Sequence, residues 1–387
     1  MIVLKGGHII GPKNIGQHDV LVAGQKIVKI EKDIGQFDFD VDLLDCKNYY
    51  IVPGFIDSHV HILGGGGEGS FKTRTPEIML SDITSAGVTT VVGCIGTDGT
   101  TRHMSSLLAK AYALEEEGIT AYVYTGSYEI PLQTLTGDIR KDIILIEKVI
   151  GVGEVAISDH RSSAPTRNEL AKLASSARVA GMLSGKAGVV NVHLGDSKSM
   201  LDPLYDLQRN TDIPLTQFIP THMNRNGDLF KEGLTYAKAG GHIDYTTSTT
   251  KQFIEMGEVP SAKALKLALD AEVPIDRITF TSDGQGSLPA FDDSNNLIGL
   301  TIGKLQSLYD SVKSAVLDEG IAFEEAIKVI TSNPAEKLKL HHKGRVVVDS
   351  DADLCVIDKE SLELVHVIAK GKLMVKDKEV LIKGTFE

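Results

Sequence analysis

Hydrophobic and polar positions follow two different rules along this chain. At both ends the pattern is that of short strands. GHII, DVLVAGQKIVKI and NYYIV near the start, and GRVVV, ADLCVID, LELVHVIAKGKLMV and EVLIKGTF near the finish, are β-rich runs separated by Gly, Asn and Asp. Several short strands at close spacing predict a small β-sandwich or barrel. Chain ends commonly lie close together, so residues 1–50 and 344–387 are expected to pair into one small domain.

Over residues 51–343 the rule changes. Apolar runs of strand type alternate with segments whose apolar residues recur at helical spacing. The strand-like runs are YYIVPGFIDSHVH, VTTVVGCIG, ITAYVYTGSY, VIGVGEVAIS, GVVNVHLGD, TQFIPTHMN, GHIDYTTS and ITFTSDG, eight in all. SSLLAKAYALEEEG, LAKLASSARVAGML and AKALKLALDA are among the separators. Such alternation argues an α/β fold with a parallel sheet, and eight units predict a (β/α)8 TIM-like barrel. An open doubly wound sheet is the competing layout. No GxGxxG follows the first strand, which speaks against it.

Composition narrows the function. A hydrophobic fraction of 42% is that of a globular protein with a sizeable core. A net charge of -12 disfavours nucleic acid and anionic lipid as partners. No run of apolar residues is long enough to span a membrane, and the start of the chain has no cleavable signal pattern, so a cytoplasmic protein is expected. Cys46, Cys94 and Cys355 are scattered and odd in number. They suggest neither a disulfide framework nor a CxxC metal site, and are expected to be buried or free thiols.

The candidate chemistry begins with His59 and His61. Alternate residues of a strand face the same way, so HVH aims two imidazoles at one point. Taken alone the motif is weak; a pair of surface histidines would read the same. Its company strengthens it. In a barrel, functional groups gather at the C-terminal ends of the strands. Glu154 lies within the fourth run, His193 and His222 near the ends of the fifth and sixth, and Asp283 ends the eighth. Zn²⁺ takes His nitrogen and carboxylate oxygen and, in catalytic sites, keeps a position for water. Six such ligands are too many for one catalytic zinc but suit two ions that share a carboxylate. The other eight histidines lack this placement and read as surface or structural, with His160 the nearest to the expected site.

The motifs GFIDSHVHILGGGGEG, GTDGTTRH, TGSYEIP, AISDHRSSAP, HLGDSK, THMNRN, TSDGQGS and the terminal GKLMVKDKEVLIKGTFE run from the first barrel strand to the last residue. In them the chain resembles the isoaspartyl (β-aspartyl) dipeptidases of the amidohydrolase superfamily. The resemblance implies a metal-dependent hydrolase that cleaves β-aspartyl dipeptides to aspartate and an amino acid. It implies two divalent ions, Zn²⁺ foremost, and a homo-oligomer. His59, His61 and Asp283 would hold the more buried ion, and His193 and His222 the other. Asp283 would also pass a proton from the attacking water to the leaving amine, and Tyr128 would polarise the scissile carbonyl. Glu68 would hold the substrate α-ammonium and Arg161 and Arg225 its carboxylates, with Thr97 and Ser287 adding polar contacts. That complement matches a substrate with one ammonium and two carboxylates. Arg grips a carboxylate through two parallel bonds, which sets orientation as well as charge.

One departure stands out. The bridging group in the common form of this family is a carboxylated lysine. Here the matching position is Glu154, and no lysine lies between Lys148 and Lys172. Glu154 is therefore expected to bridge the ions itself, with a shorter side chain; the alternative is a site with a single ion. Other readings remain: a cyclic-amide hydrolase of dihydroorotase or hydantoinase type, an N-acyl amino acid deacylase, and a non-catalytic scaffold. The first two substrates lack a free α-ammonium, which leaves Glu68 and the arginine pair surplus. A scaffold has no reason to keep every ligand.

Overall fold

The computed structural model describes residues 1–35, 38, 40–291 and 297–387. Eight strands occupy the middle of the chain: β1 (Phe55–Val60), β2 (Val88–Gly93), β3 (Thr120–Thr125), β4 (Val149–Ile157), β5 (Val189–Leu194), β6 (Phe218–Thr221), β7 (Ile243–Thr246) and β8 (Ile278–Thr281). They coincide with the eight runs of the sequence. β1 to β6 form one parallel sheet in chain order, and β7 and β8 form a parallel pair.

Two seams connect these pieces. At one, the Met223 N–H just past β6 donates to the Asp244 carbonyl on β7 at 3.1 Å. At the other, Val60 of β1 bridges Gly284 in parallel register, and the His61 N–H donates to the Gly284 carbonyl at 2.9 Å. The sheet curls until its last strand lies beside its first. Every residue of β1, β2, β4 and β5 is buried. That is why these strands read as continuous apolar runs: a parallel sheet is covered on both faces.

Helices separate the strands. The longest, Arg167–Ser184, begins with a capping box in which Thr166 and Glu169 satisfy each other's backbone N–H groups. It ends at Gly185, whose φ of 72° is the left-handed conformation that glycine adopts without penalty. Its buried face is Leu170, Leu173, Ala174, Ala177, Ala180 and Gly181, at helical spacing. A side chain at Gly181 would collide with Gly188 Cα at 2.7 Å, so this glycine lets the helix sit on the turn that enters β5.

The two chain ends do share one sheet. Its order is Glu379–Val380, Lys372–Lys376, Leu364–Ala369, Leu354–Asp358, Tyr49–Pro53, Ile2–Ile10, Asn14–Ala23 and Lys26–Glu31, with Asp42–Asp45 also paired to Ile2–Ile10. Ile2, Leu4, Ile9, Val20, Ile27, Leu354 and Ile368 belong to a core separate from that of the parallel strands. The run YYIVPGFIDSHVH is thus two strands. Tyr49–Pro53 pairs antiparallel with Leu354–Asp358, and Phe55–Val60 pairs with β2. A second feature that the hydrophobic pattern does not signal is a hairpin, Ser287–Phe291 with Leu297–Ile302, inserted after β8. Among the described residues no helix is long and apolar enough to cross a membrane.

Candidate active site and metal centre

The C-terminal ends of the strands converge as expected. The Nε2 of His59 lies 3.3 Å from Glu154 Oε2 and 3.6 Å from Asp283 Oδ1. The Nε2 of His61 lies 3.4 Å from Glu154 Oε1 and 3.1 Å from Asp283 Oδ1. On the other side, Glu154 Oε2 is 3.1 Å from His193 Nδ1 and 3.9 Å from His222 Nε2. The two histidine nitrogens are 3.0 Å apart. Glu154 thus presents one oxygen to His61 and the other to His59 and the His193–His222 pair.

Local backbone devices bring these groups inward. Val190 pairs with Val152 but Val192 pairs with Val155, so β4 carries one extra residue at Gly153–Glu154. Such a bulge re-aims a side chain, here the short glutamate, out of the regular ladder. A Cβ at Gly153 would meet Asn191 Cβ at 2.8 Å, which fits glycine at this bend. His222 and Asp283, just past β6 and β8, have φ of 63° and 53°. Left-handed backbone at non-glycine residues is costly and concentrates at functional positions.

The donors are short of partners. Both ring nitrogens of His59, Glu154 Oε1 and Asp283 Oδ1 are buried without a hydrogen bond. A polar atom in that state costs free energy unless something else satisfies it. Among the described residues, two groups have donor atoms within 4.8 Å of one another: His59, His61, Cys94 and Glu154, and Glu154, His193 and His222. Clustered nitrogen and carboxylate donors of this kind fit divalent metal ions, which take their histidines neutral and their carboxylates ionised. Burial acts to raise the Glu154 carboxyl, but the charge of His59 and the neighbouring His193 and His222 rings hold it well below the usual range. Asp283 is likewise pushed up by burial and brought down to about 2 by His61, 3.1 Å away, and by neighbouring histidine charge. His222 is lowered to about 3 by burial and by His193.

Above the donors lies a cavity of about 230 Å³. His61, Glu68, Thr97, Tyr128, Arg161, His193, Arg225, Asp283 and Ser287 line it, and His59, Glu154 and His222 sit beneath. All twelve residues singled out in the sequence therefore meet here. Tyr128 OH is 2.8 Å from His193 Nδ1, with the Arg161 guanidinium 5.2 Å from its ring centre. Burial and the Glu154 charge push the Tyr128 phenol well above its ordinary range, which keeps it a proton-bearing donor. Glu68 Oε1 accepts from the Thr97 hydroxyl at 2.9 Å and from Arg161 Nη1 at 3.2 Å. Arg225 lies 3.7 Å from Asp196. His160, the nearest of the other histidines, points away with its side chain 88% exposed.

Several neighbours carried no recognisable signal. Cys46, Cys94 and Cys355 are free and buried, but Cys94 stands against the first donor group, its Sγ 3.8 Å from His61 Nδ1. Thr246 sits 2.6 Å from His222 Nδ1, and Asp159 Oδ2 3.1 Å from His193 Nε2. Buried Arg102 donates to the carbonyls of Gly65, Gly66 and Leu63 at 2.8, 3.3 and 3.4 Å. The glycine run before Glu68 is therefore pinned. Its glycines serve close approach: a Cβ at Gly64 would lie 2.1 Å from the Thr75 carbonyl oxygen. Arg102 and Cys94 follow β2, and by sequence alone nothing distinguishes them from an ordinary surface cation and core thiol.

Known proteins share this fold. The chain matches the family described as Amidohydrolase family over residues 50–374. A β-aspartyl dipeptidase from the thermophilic, keratin-degrading Fervidobacterium islandicum AW-1, solved in complex with a β-Asp-Leu dipeptide, is 44% identical. It superposes with a TM-score of 0.88, and 98% of each chain is covered. Among curated relatives, the dihydroorotase of Aquifex aeolicus is 26% identical over 289 residues, 72% of this chain and 62% of that protein. The dihydroorotase of Clostridium acetobutylicum is 40% identical over 68 residues, 17% of this chain and only 16% of its own length.

Proposed function

This chain belongs to the amidohydrolase family, and from that premise we propose that it hydrolyses β-aspartyl dipeptides to aspartate and a free amino acid. One observation carries the reading. A single cavity joins two donor groups that share Glu154 to Glu68, Arg161 and Arg225, while Asp98 and Arg102, which also line it, pair with each other at 3.5 Å. A β-aspartyl dipeptide is the charge inverse of that wall, with one ammonium and two carboxylates. Similarity to the Fervidobacterium enzyme along almost the full chain supports the same substrate.

We read the curled sheet as a closed (β/α)8 barrel that begins at Phe55 rather than at residue 51 and runs to residue 343, with the sheet of the two chain ends, Tyr49–Pro53 included, as a small β-sandwich domain. His59, His61 and Asp283 would hold one divalent ion and His193 and His222 a second, with Glu154 touching both; Zn²⁺ is the first candidate for this donor set. Divalent metal, when bound, supplies Lewis acidity and a water acidic enough to react near neutral pH. The chain's own groups do the rest. Glu68, with Thr97 beside it, takes the substrate α-ammonium in exchange for its pairing with Arg161. Arg161 and Arg225 orient the two carboxylates, and Ser287 adds a polar contact at the rim. Tyr128 donates its phenol proton to the oxygen of the scissile amide as charge develops there, a contact typically worth about 3–4 kcal/mol. Asp283 accepts a proton from the attacking water and delivers it to the departing nitrogen. The active protein is expected to be a homo-oligomer in the cytoplasm.

Steady-state turnover of β-Asp-Leu, dihydroorotate and an N-acetyl amino acid by the same metal-loaded preparation tests the proposal. Turnover of β-Asp-Leu at least tenfold above the other two is expected. Preference for dihydroorotate or for the acylated amino acid would replace this substrate reading.

A further inference from the structure

Asp159 lies two residues past β4 with a side chain only 3% exposed, and it contacts both His193 and Arg161, whose Nε2 and Nη2 are themselves 3.1 Å apart. Its Oδ2 is 3.1 Å from His193 Nε2 and 2.8 Å from Arg161 Nη2. Its Oδ1 accepts from Arg161 Nε at 2.9 Å and from the Arg161 backbone N–H at 2.8 Å. On the opposite edge of the same imidazole, His193 Nδ1 faces Glu154 Oε2 at 3.1 Å and His222 Nε2 at 3.0 Å. On the opposite end of the same guanidinium, Nη1 faces Glu68 Oε1 at 3.2 Å. Asp159 therefore stands behind both a metal donor and a substrate-facing cation.

The chemistry of each contact has a direction. Arg161 Nη2, 3.1 Å from His193 Nε2, already donates to Asp159 Oδ2 at 2.8 Å, and a carboxylate only accepts hydrogen bonds, so His193 carries its proton on Nε2 to pair with Asp159. That leaves the Nδ1 lone pair pointing at Glu154 and His222. A histidine ligand whose second nitrogen donates to a carboxylate is held in one tautomer and one ring orientation, and is the more basic for it. For Arg161 the two-point grip uses Nε and Nη2, so Nη1 is the end left to turn toward the cavity. The fold makes room for this. Gly195 immediately follows β5, the strand that carries His193, and a Cβ there would lie 2.5 Å from Asp159 Cα and from its Oδ2. Only a glycine at that point allows the end of β4 to press its carboxylate against the end of β5.

We infer that Asp159 is a positioning residue with two outputs. It sets the tautomer of His193 so that Nδ1 serves the metal centre, and it presents Arg161 Nη1 to the substrate. Metal binding at the His193–His222 side and substrate binding at Arg161 thereby lean on one carboxylate. The inference rests on the two-ion dipeptidase reading of the site.

The test uses the full chain and Zn²⁺ alone, titrated against a chromogenic chelator, alongside KM and kcat for β-Asp-Leu. Wild type should bind two equivalents. Asp159→Ala should weaken one of the two binding steps by about 10–100-fold and leave the other, and should raise KM about tenfold or more. Asp159→Asn separates the two outputs. Its amide oxygen still accepts from His193, but its NH2 faces the Arg161 donors, so the metal steps should stay near wild type while KM rises. Arg161→Met should raise KM and leave both metal steps. Gly195→Ala, outside the proposed chemistry, should reproduce Asp159→Ala in milder form, and a circular-dichroism melt of each variant reports folding. Native metal affinities in folded Asp159→Ala overturn the His193 output, and an unchanged KM overturns the Arg161 output. One equivalent in the wild type overturns the two-ion reading itself, and with it this inference. No turnover of β-Asp-Leu by wild type overturns the substrate reading, while the metal titration still decides the His193 output.

Discussion

Two buried carboxylates among the parallel strands are treated in opposite ways. Asp244, on β7, receives hydroxyls from Thr221 on β6 at 2.7 Å and from Thr279 and Thr281 on β8 at 2.7 and 2.5 Å. Both of its oxygens are satisfied by neutral donors from the flanking strands. Glu154, one layer nearer the cavity, is surrounded by histidines, and its Oε1 has no hydrogen-bond partner. Burial raises Asp244 to about 6 despite its hydroxyls, whereas the surrounding histidines bring Glu154 down. The contrast separates a carboxylate that holds strands together from one whose surroundings suit a cation. A satisfied buried group contributes modestly to stability, while an unsatisfied one is costly until its partner arrives.

The largest expected effect comes from removing charge at the unsatisfied member of the pair. Glu154→Gln should lose at least one of two metal equivalents by elemental analysis. Its kcat should fall by more than the roughly 10²–10³-fold that losing one oxyanion donor costs. Two ions bound with native affinity would remove Glu154 as a shared ligand. Next is Tyr128→Phe, which should lower kcat by about 10²–10³-fold with little change in KM. A kcat within a few-fold of wild type would exclude Tyr128 as the oxyanion donor. Glu68→Gln should act on KM instead, raising it by about tenfold for β-Asp-Leu, the worth of one charge-assisted hydrogen bond. It should do so much less for an analogue whose α-amino group is absent, and an equal rise for both would detach Glu68 from the ammonium.

The smallest effect on catalysis belongs to Asp244→Asn, whose kcat should stay within a few-fold of wild type. Its signature is in stability against pH. A carboxyl whose folded pKa is raised from 3.8 to about 6 favours the fold while protonated. That contribution is complete below pH 3.8 and is lost as pH rises through about 6. The Tm advantage of wild type over Asp244→Asn should therefore shrink between pH 4 and pH 7, by on the order of 1–3 kcal/mol in stability. Asp57, raised by burial to about 7, titrates in both proteins and cancels in the difference. A difference that does not vary with pH would mean that Asp244 titrates as it does in the unfolded chain.

Much of this site is legible in the sequence because strand periodicity is local. HVH on an apolar run aims two rings one way whatever surrounds it, and a parallel sheet puts the ends of successive runs along one rim. His193, His222 and Asp283 stand out for that reason, as do the loops that carry Glu68, Arg161 and Arg225. The glutamate at position 154 is equally visible, since no lysine stands near it. What it requires is not. The extra residue in β4 exists only as a mismatch of register against β5, and register is a relation between two strands.

The same division holds elsewhere. The sequence by itself determined the order of the parallel strands and the placing of His59, His61, His193, His222 and Asp283 at their ends, because each follows from neighbours along the chain. Tertiary structure alone decided that Asp159 backs His193, that Cys94 stands against His61, and that Arg102 ties down the loop before Glu68. It also decided that Asp244 is saturated while Glu154 is not. These are contacts between groups distant in sequence, and a buried polar atom is satisfied or orphaned only by what packing brings within about 3 Å of it.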